Sequence, residues 1–239
     1  MKHKNYRVIA VVALTTLSGA FASGQDLMKE AAGGSGLSGL ATLSWFDYDH
    51  EFFEGDVQVG SLILTGEIGD YSTQLDLMVG NLSGVNDQRI NFAGHIGKQY
   101  ENSFFGVFVG AENYSGPTGF FAGIEGDYAF SEKLNVEWHI GVLDYANNIE
   151  VDEFAGIEVT YKFTDNFYAT CRAFELNLEN LSLDNIDYGV GYQFSNGIGV
   201  EATAGRSFEA DTFGFSLSYN FGDGLPVYNG RGLMPILSR

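Results

Sequence analysis

The chain has 239 residues, with 31 Asp plus Glu against 12 Lys plus Arg, a formal charge of −19, and it carries 32 Gly but only 3 Pro and 1 Cys. Such an acid excess excludes nucleic acid as a partner, because phosphate binding needs clustered Lys and Arg, and it disfavours docking from solution onto an anionic lipid surface. The lone cysteine, Cys171, excludes an internal disulfide framework.

The first residues read as an export signal. "MKHKNYR" supplies Lys2, Lys4 and Arg7, "VIAVVALTTL" is an apolar run of about ten residues and too short to span a bilayer, and Ala20 and Ala22 occupy the small-residue positions of a cleavage site. Residues 1–22 are therefore expected to be a signal peptide, and 23–36, "SGQDLMKEAAGGSG", a periplasmic leader with a Gly/Ser linker. The signal holds three of the 12 basic residues and none of the 31 acidic ones, so the mature chain carries 9 against 31, a formal −22. No later segment offers the roughly 18–20 continuous apolar residues of a membrane helix.

From residue 37 the pattern alternates with period two. Candidate strands fall at 37–48, 56–68, 71–80, 89–99, 103–112, 118–130, 133–145, 153–163, 166–177, 185–195, 198–207 and 211–221. Most are about twice as long as the usual soluble strand and suit a tilted membrane crossing. Short connections ("GD" 69–70, "EN" 101–102, "SE" 131–132, "TD" 164–165, "NG" 196–197) alternate with longer ones such as "DHEFFEG" 49–55 and "ANNIEVD" 146–152. Short turns at one rim and long loops at the other are the pattern of a membrane barrel.

The faces agree. Tyr71, Thr73, Leu75, Leu77 and Val79 oppose Ser72, Gln74 and Asp76, and Ala155, Ile157, Val159, Tyr161 and Phe163 oppose Gly156, Glu158, Thr160 and Lys162. Each strand thus shows a lipid-like face and a wet face. Tyr128, Phe130, Tyr161, Phe163, Phe167, Phe194, Tyr219 and Phe221 sit beside short turns, where an aromatic girdle belongs. The competing arrangement is a soluble sandwich or lipocalin-like barrel with the apolar face turned inward. That many long aromatic-flanked strands would overfill a small soluble core.

The last strand, "FGFSLSYNF" from Phe213 to Phe221, alternates in the same way. Its Gly214, Leu217, Tyr219 and Phe221 resemble the closing signal that the barrel-assembly machinery recognises in outer-membrane proteins, and residues 37–221 resemble small porin-like barrels as an architecture. The fold class expected is all-β, a transmembrane antiparallel up-and-down barrel of twelve strands. The resemblance implies a place in the outer membrane of a Gram-negative bacterium, with lipid, lipopolysaccharide and the assembly machinery as partners. Residues 222–239 depart from the pattern, in which the signal strand ends the chain; with Arg231, Arg239 and "LMPIL" they form a periplasmic tail that enters the lumen, hangs free or docks elsewhere.

The wet faces supply the function. Predicted pore-lining residues are Glu67, Asp76, Glu125, Asp127, Glu137, Glu158 and Glu201, with Lys162 and Arg172, and Gln74, Asn91, His95, His139, Thr170, Gln193 and Thr203 complete the lining. Inward Gly123, Gly141, Gly156, Gly189, Gly191, Gly205 and Gly214 are expected to leave space. Twelve strands lie between barrels of about 8, filled by side chains, and of about 16, which enclose a channel. Acids around water concentrate cations, so the expected function is a porin-like channel for passive diffusion of small hydrophilic solutes, cation-preferring. The alternative is a non-conducting barrel with a structural or surface-interaction role, its acids paired with Lys162, Arg172 and water.

Acids also mark the predicted long loops, among them Asp47, Asp49, Glu112, Asp152, Glu153, Asp184 and Asp211, but without the spacing of a calcium motif. No cofactor or metal is expected. "DYDHE", Asp47 to Glu51, puts His50 beside carboxylates, yet alternating residues of a strand point apart, and there is no G-x-S-x-G, H-E-x-x-H or phosphate loop. The chain is expected not to be an enzyme.

Overall fold

A computed structural model of the chain describes residues 38–50, 53–82, 87–114, 118–145, 152–178, 181–207 and 210–222. The expected signal peptide and leader, and all but the first residue of the expected tail, lie outside these.

Twelve strands follow in chain order: β1 (Ser38–His50), β2 (Phe53–Ile68), β3 (Tyr71–Leu82), β4 (Asp87–Gln99), β5 (Ser103–Tyr114), β6 (Thr118–Ala129), β7 (Leu134–Tyr145), β8 (Asp152–Lys162), β9 (Phe167–Leu178), β10 (Leu181–Gln193), β11 (Ile198–Ser207) and β12 (Ala210–Phe221). Each pairs antiparallel with its sequence neighbours, and β1 pairs with β12, so the sheet closes without an edge. Closure satisfies every strand's backbone groups inside the sheet, which a bilayer demands because it offers no water to unpaired N–H and C=O groups. The closing seam runs from Gly39 opposite Phe221 to Asp49 opposite Asp211, so the strand carrying Gly214, Leu217, Tyr219 and Phe221 is the one that shuts the barrel.

The short turns sit where the sequence puts them. Gly69 (φ 62°) and Gly197 (φ 87°) hold the left-handed conformation that tight hairpins need and that L side chains rarely adopt. At the other rim the strands run further than expected: β10 begins at Leu181, β2 at Phe53, and β5 continues to Tyr114. Asp49, Asp152 and Asp184, expected beyond the strand ends, therefore stand in strands, as do Asp47, Glu112, Glu153 and Asp211, because pairing with the neighbouring strand continues through them.

The outer face is apolar. Phe92, Phe105, Val107, Val109, Phe120, Ile124, Ile140, Val142, Ile157, Val190, Phe213 and Phe215 are all exposed, and water has no reason to tolerate a band this wide. At the short-turn rim the chain repeats one device at the ends of β6, β8, β10 and β12. Tyr128–Phe130, Tyr161–Phe163, Tyr192–Phe194 and Tyr219–Phe221 each form a Tyr-x-Phe pair, with ring centroids 4.7, 5.1, 4.8 and 6.5 Å apart. The first three pairs are exposed and make an aromatic girdle at this rim, while Tyr219 and Phe221 repeat the spacing but are buried. Val109, midway along β5 and 62% exposed, tests the lipid-facing assignment. Val109→Arg is expected to destabilise the barrel in bilayers by about 2–4 kcal/mol, read from the urea midpoint; an unchanged midpoint would place this face in water.

Candidate functional site

Because side chains alternate across a strand, the register fixes which residues face inward. Every predicted lining residue falls on the inner parity. Asp76 aligns with Ala93, Glu67 with Ser72, Glu125 with His139, Asp127 with Glu137, Glu137 with Glu158, Glu158 with Arg172, Lys162 with Tyr168, and Glu201 with Gly191. Arg89, Glu112, Asp152 and Asp187 share that parity and were not foreseen there; Glu112, Asp152 and Asp187 are 3%, 5% and 6% exposed. The signal that would have found them is the same alternation, since Glu112 stands four residues from Phe108 and Asp187 two from Gly189.

Five of the inward acids are gathered into two networks. On one wall His95 (β4) lies between two carboxylates, its Nδ1 3.0 Å from Glu125 (β6) and its Nε2 3.2 Å from Asp76 (β3). Gln74 Nε2 donates to the other Asp76 oxygen at 2.8 Å. On the other wall Arg172 (β9) binds Glu158 (β8) through Nε at 2.8 Å, Asp187 (β10) through Nη1 at 3.1 Å and Glu201 (β11) through Nη2 at 2.7 Å. One guanidinium thus joins four consecutive strands, a task its planar fork of five donors suits and a lysine's does not. One imidazole and one arginine hold five of the inward acids, because each of them reaches carboxylates on more than one strand.

The inner face is not uniformly wet, contrary to the expectation of one apolar and one polar side per strand. Ala93, Phe108, Phe121, Leu143, Phe154, Phe174 and Leu176 form a buried cluster on β4 to β9, and Phe46, Tyr48, Val57, Val59, Met78 and Ala210 form another on β1, β2, β3 and β12. Nor do the inward glycines leave space. A methyl group at Gly141 would meet the Phe154 ring, 2.8 Å from Cε1, and one at Gly123 would meet Phe108 Cε1 at the same distance. Likewise Tyr168 lies over Gly191, His139 over Gly156 and Phe46 over Gly214, while Thr170 and Glu201 flank Gly189 and Asp187 flanks Gly205. The missing Cβ is the seat in which a neighbouring strand's side chain lies.

The interior is therefore layered from loop rim to short-turn rim. Glu112 and Asp152 come first, followed by the aromatic cluster. Below it stand the two charge networks, and finally Glu67, Asp127, Glu137 and Lys162. On β8 alone the order reads Asp152, Phe154, Glu158, Lys162. His139 belongs to the aromatic layer by contact, with centroids 6.4, 6.0 and 6.0 Å from Phe108, Phe154 and Phe174. In "DYDHE", Tyr48 is buried inside while Asp47 and Asp49 are exposed outside, so the described part of that cluster does not converge.

No protein-family model matches this sequence, and no curated protein sequence does. Solved structures match its fold. The KdgM porin superposes with a TM-score of 0.63 over 76% of this chain and 99% of its own, at 9% identity. The chain has the fold of a small outer-membrane porin. The NanC porin matches at TM-score 0.58 over 76% of this chain and 100% of that one, also at 9% identity. The COG4313 outer membrane channel from Pseudomonas putida F1 matches at 0.57 over 78% of this chain and 96% of that one, at 10% identity.

Proposed function

We propose that the protein is an outer-membrane channel for passive diffusion of small solutes, with a preference for cations. The observation that carries this reading is the sign of the inner wall. Among the described residues, Glu67, Asp76, Glu112, Glu125, Asp127, Glu137, Asp152, Glu158, Asp187 and Glu201 share the inner parity with only Arg89, Lys162 and Arg172 as permanent cations. Low-dielectric walls focus such a field, raising the local concentration of positive solutes and repelling anions. The fold shared with porins and an outer membrane channel supports the same reading, as does the lipid-suited exterior.

The acids nearest the short-turn mouth, Glu67, Asp127 and Glu137, stand where a solute passes that rim and contribute to the preference. The short-turn rim faces the periplasm, lipid and lipopolysaccharide cover the outside, and the assembly machinery engages β12 through Gly214, Leu217, Tyr219 and Phe221. Glu67→Gln, Asp127→Asn and Glu137→Gln together are expected to move the reversal potential under a salt gradient towards zero. Selectivity left unaltered in the triple variant would refute the assignment.

A further inference from the structure

We infer that the aromatic layer is the selectivity barrier of this channel, and that it favours organic cations with an apolar body over hydrated inorganic cations. The inference rests on the channel reading above and names the class of solute.

The layer consists of two separate buried clusters on opposite walls of the lumen. Phe108, Phe121, Phe154 and Phe174 are 4%, 4%, 2% and 8% exposed and lie in mutual contact, with centroids 6.3 Å apart for Phe108–Phe121, 6.1 Å for Phe108–Phe154 and 6.2 Å for Phe154–Phe174. Across the barrel Phe46, Val57 and Val59 are 4%, 1% and 3% exposed. Gly123, Gly141 and Gly214 seat three of these rings against the wall. Anything that crosses at this level passes between two apolar walls.

For a hydrated sodium ion the exchange is poor, because it sheds water and receives no hydrogen-bond acceptor in return. A hydrocarbon body instead exchanges water for apolar walls, which is favourable. An ammonium on that body is attracted by the faces of the rings themselves. The layer is bracketed by carboxylates, Glu112 and Asp152 towards the loops and Glu125 and Glu158 towards the short turns. A positive charge is therefore met by acid before and after the apolar step, whereas an anion is opposed at both.

The test uses the folded mature chain in a planar bilayer, with sodium chloride on one side and benzylammonium chloride on the other, the reversal potential giving the permeability ratio. Benzylammonium is expected to permeate several-fold better than sodium. Phe108→Ala with Phe154→Ala is expected to raise the sodium current and bring the ratio to one or below, while the milder Phe154→Leu lowers it without opening the layer. Sodium permeating as well as or better than benzylammonium in the native chain overturns the inference and leaves the channel reading standing. Silence with both salts overturns the channel reading, and this inference with it.

Discussion

Arg172→Met is expected to destabilise the folded barrel by about 3–5 kcal/mol, the cost of removing one partner from a buried ionic group. The reason is local. Glu158, Asp187 and Glu201 come from three different strands and converge on one guanidinium at 2.7–3.1 Å, with Glu158 and Asp187 6% exposed. Without Arg172, three carboxylates share a dry wall of the lumen and repel one another, since solvent is not there to screen them. The loss is read as a lower urea midpoint in detergent or bilayer. Restoring neutrality should restore stability, so Glu158→Gln, Asp187→Asn and Glu201→Gln added to Arg172→Met are expected to recover most of the midpoint. Arg172→Lys should fall between, because a compact ammonium cannot span three strands as a planar fork does. An Arg172→Met barrel as stable as the native one would mean that water reaches these acids.

The second large effect concerns the glycine seats. Gly141→Val pushes a branched side chain into the place of the Phe154 ring, and overpacking of this kind costs about 1–3 kcal/mol. Phe154→Ala alone removes a ring that is 2% exposed and is expected to cost about 3–5 kcal/mol. The double variant should cost clearly less than the two together, because the new side chain fills the space the ring vacates and residues in contact are non-additive. Additive costs would show that ring and glycine do not share one site. The same cycle on Gly123 and Phe108 should behave alike.

These two effects mark the border of what the sequence discloses. Twelve strands were readable because each must keep an apolar face to lipid, and period-two alternation writes that demand into every segment; Ala155, Ile157, Val159, Tyr161 and Phe163 on β8 are an example. The inward parity of Glu125, Asp127, Glu158 and Arg172 follows from the same alternation. What lies beyond it depends on register across strands. That Arg172 meets Glu201 two strands away, or that His95 joins Asp76 to Glu125, is set by the offset of each strand on its neighbour, which no single strand records. The inward phenylalanines were hidden for a related reason. Phe154 shares a face with Glu158, and a polar-looking face disguises one ring among acids and glycines. Gly141 reads as space in the sequence, yet its neighbour across the strand fills it. The longer strands at the loop rim were missed because charges such as Asp49 and Asp184 resemble loop residues although Asp49 stands opposite Asp211 in the closing seam and Asp184 opposite Glu175.

The layered interior makes two demands on the barrel. Tight aromatic packing and buried ion networks hold twelve strands in one register, while a conducting lumen needs some of that packing to yield. The charge networks hold the strands, and the aromatic clusters are the part of the wall that a solute passes.

The most direct test of the channel itself is the current carried by the folded mature chain in a planar bilayer under a potassium chloride gradient, with heat-dependent gel mobility certifying the fold of the same sample. The account predicts steady single-channel current with a reversal potential of the sign set by potassium. A folded barrel that stays silent, or whose reversal potential follows chloride, would contradict it.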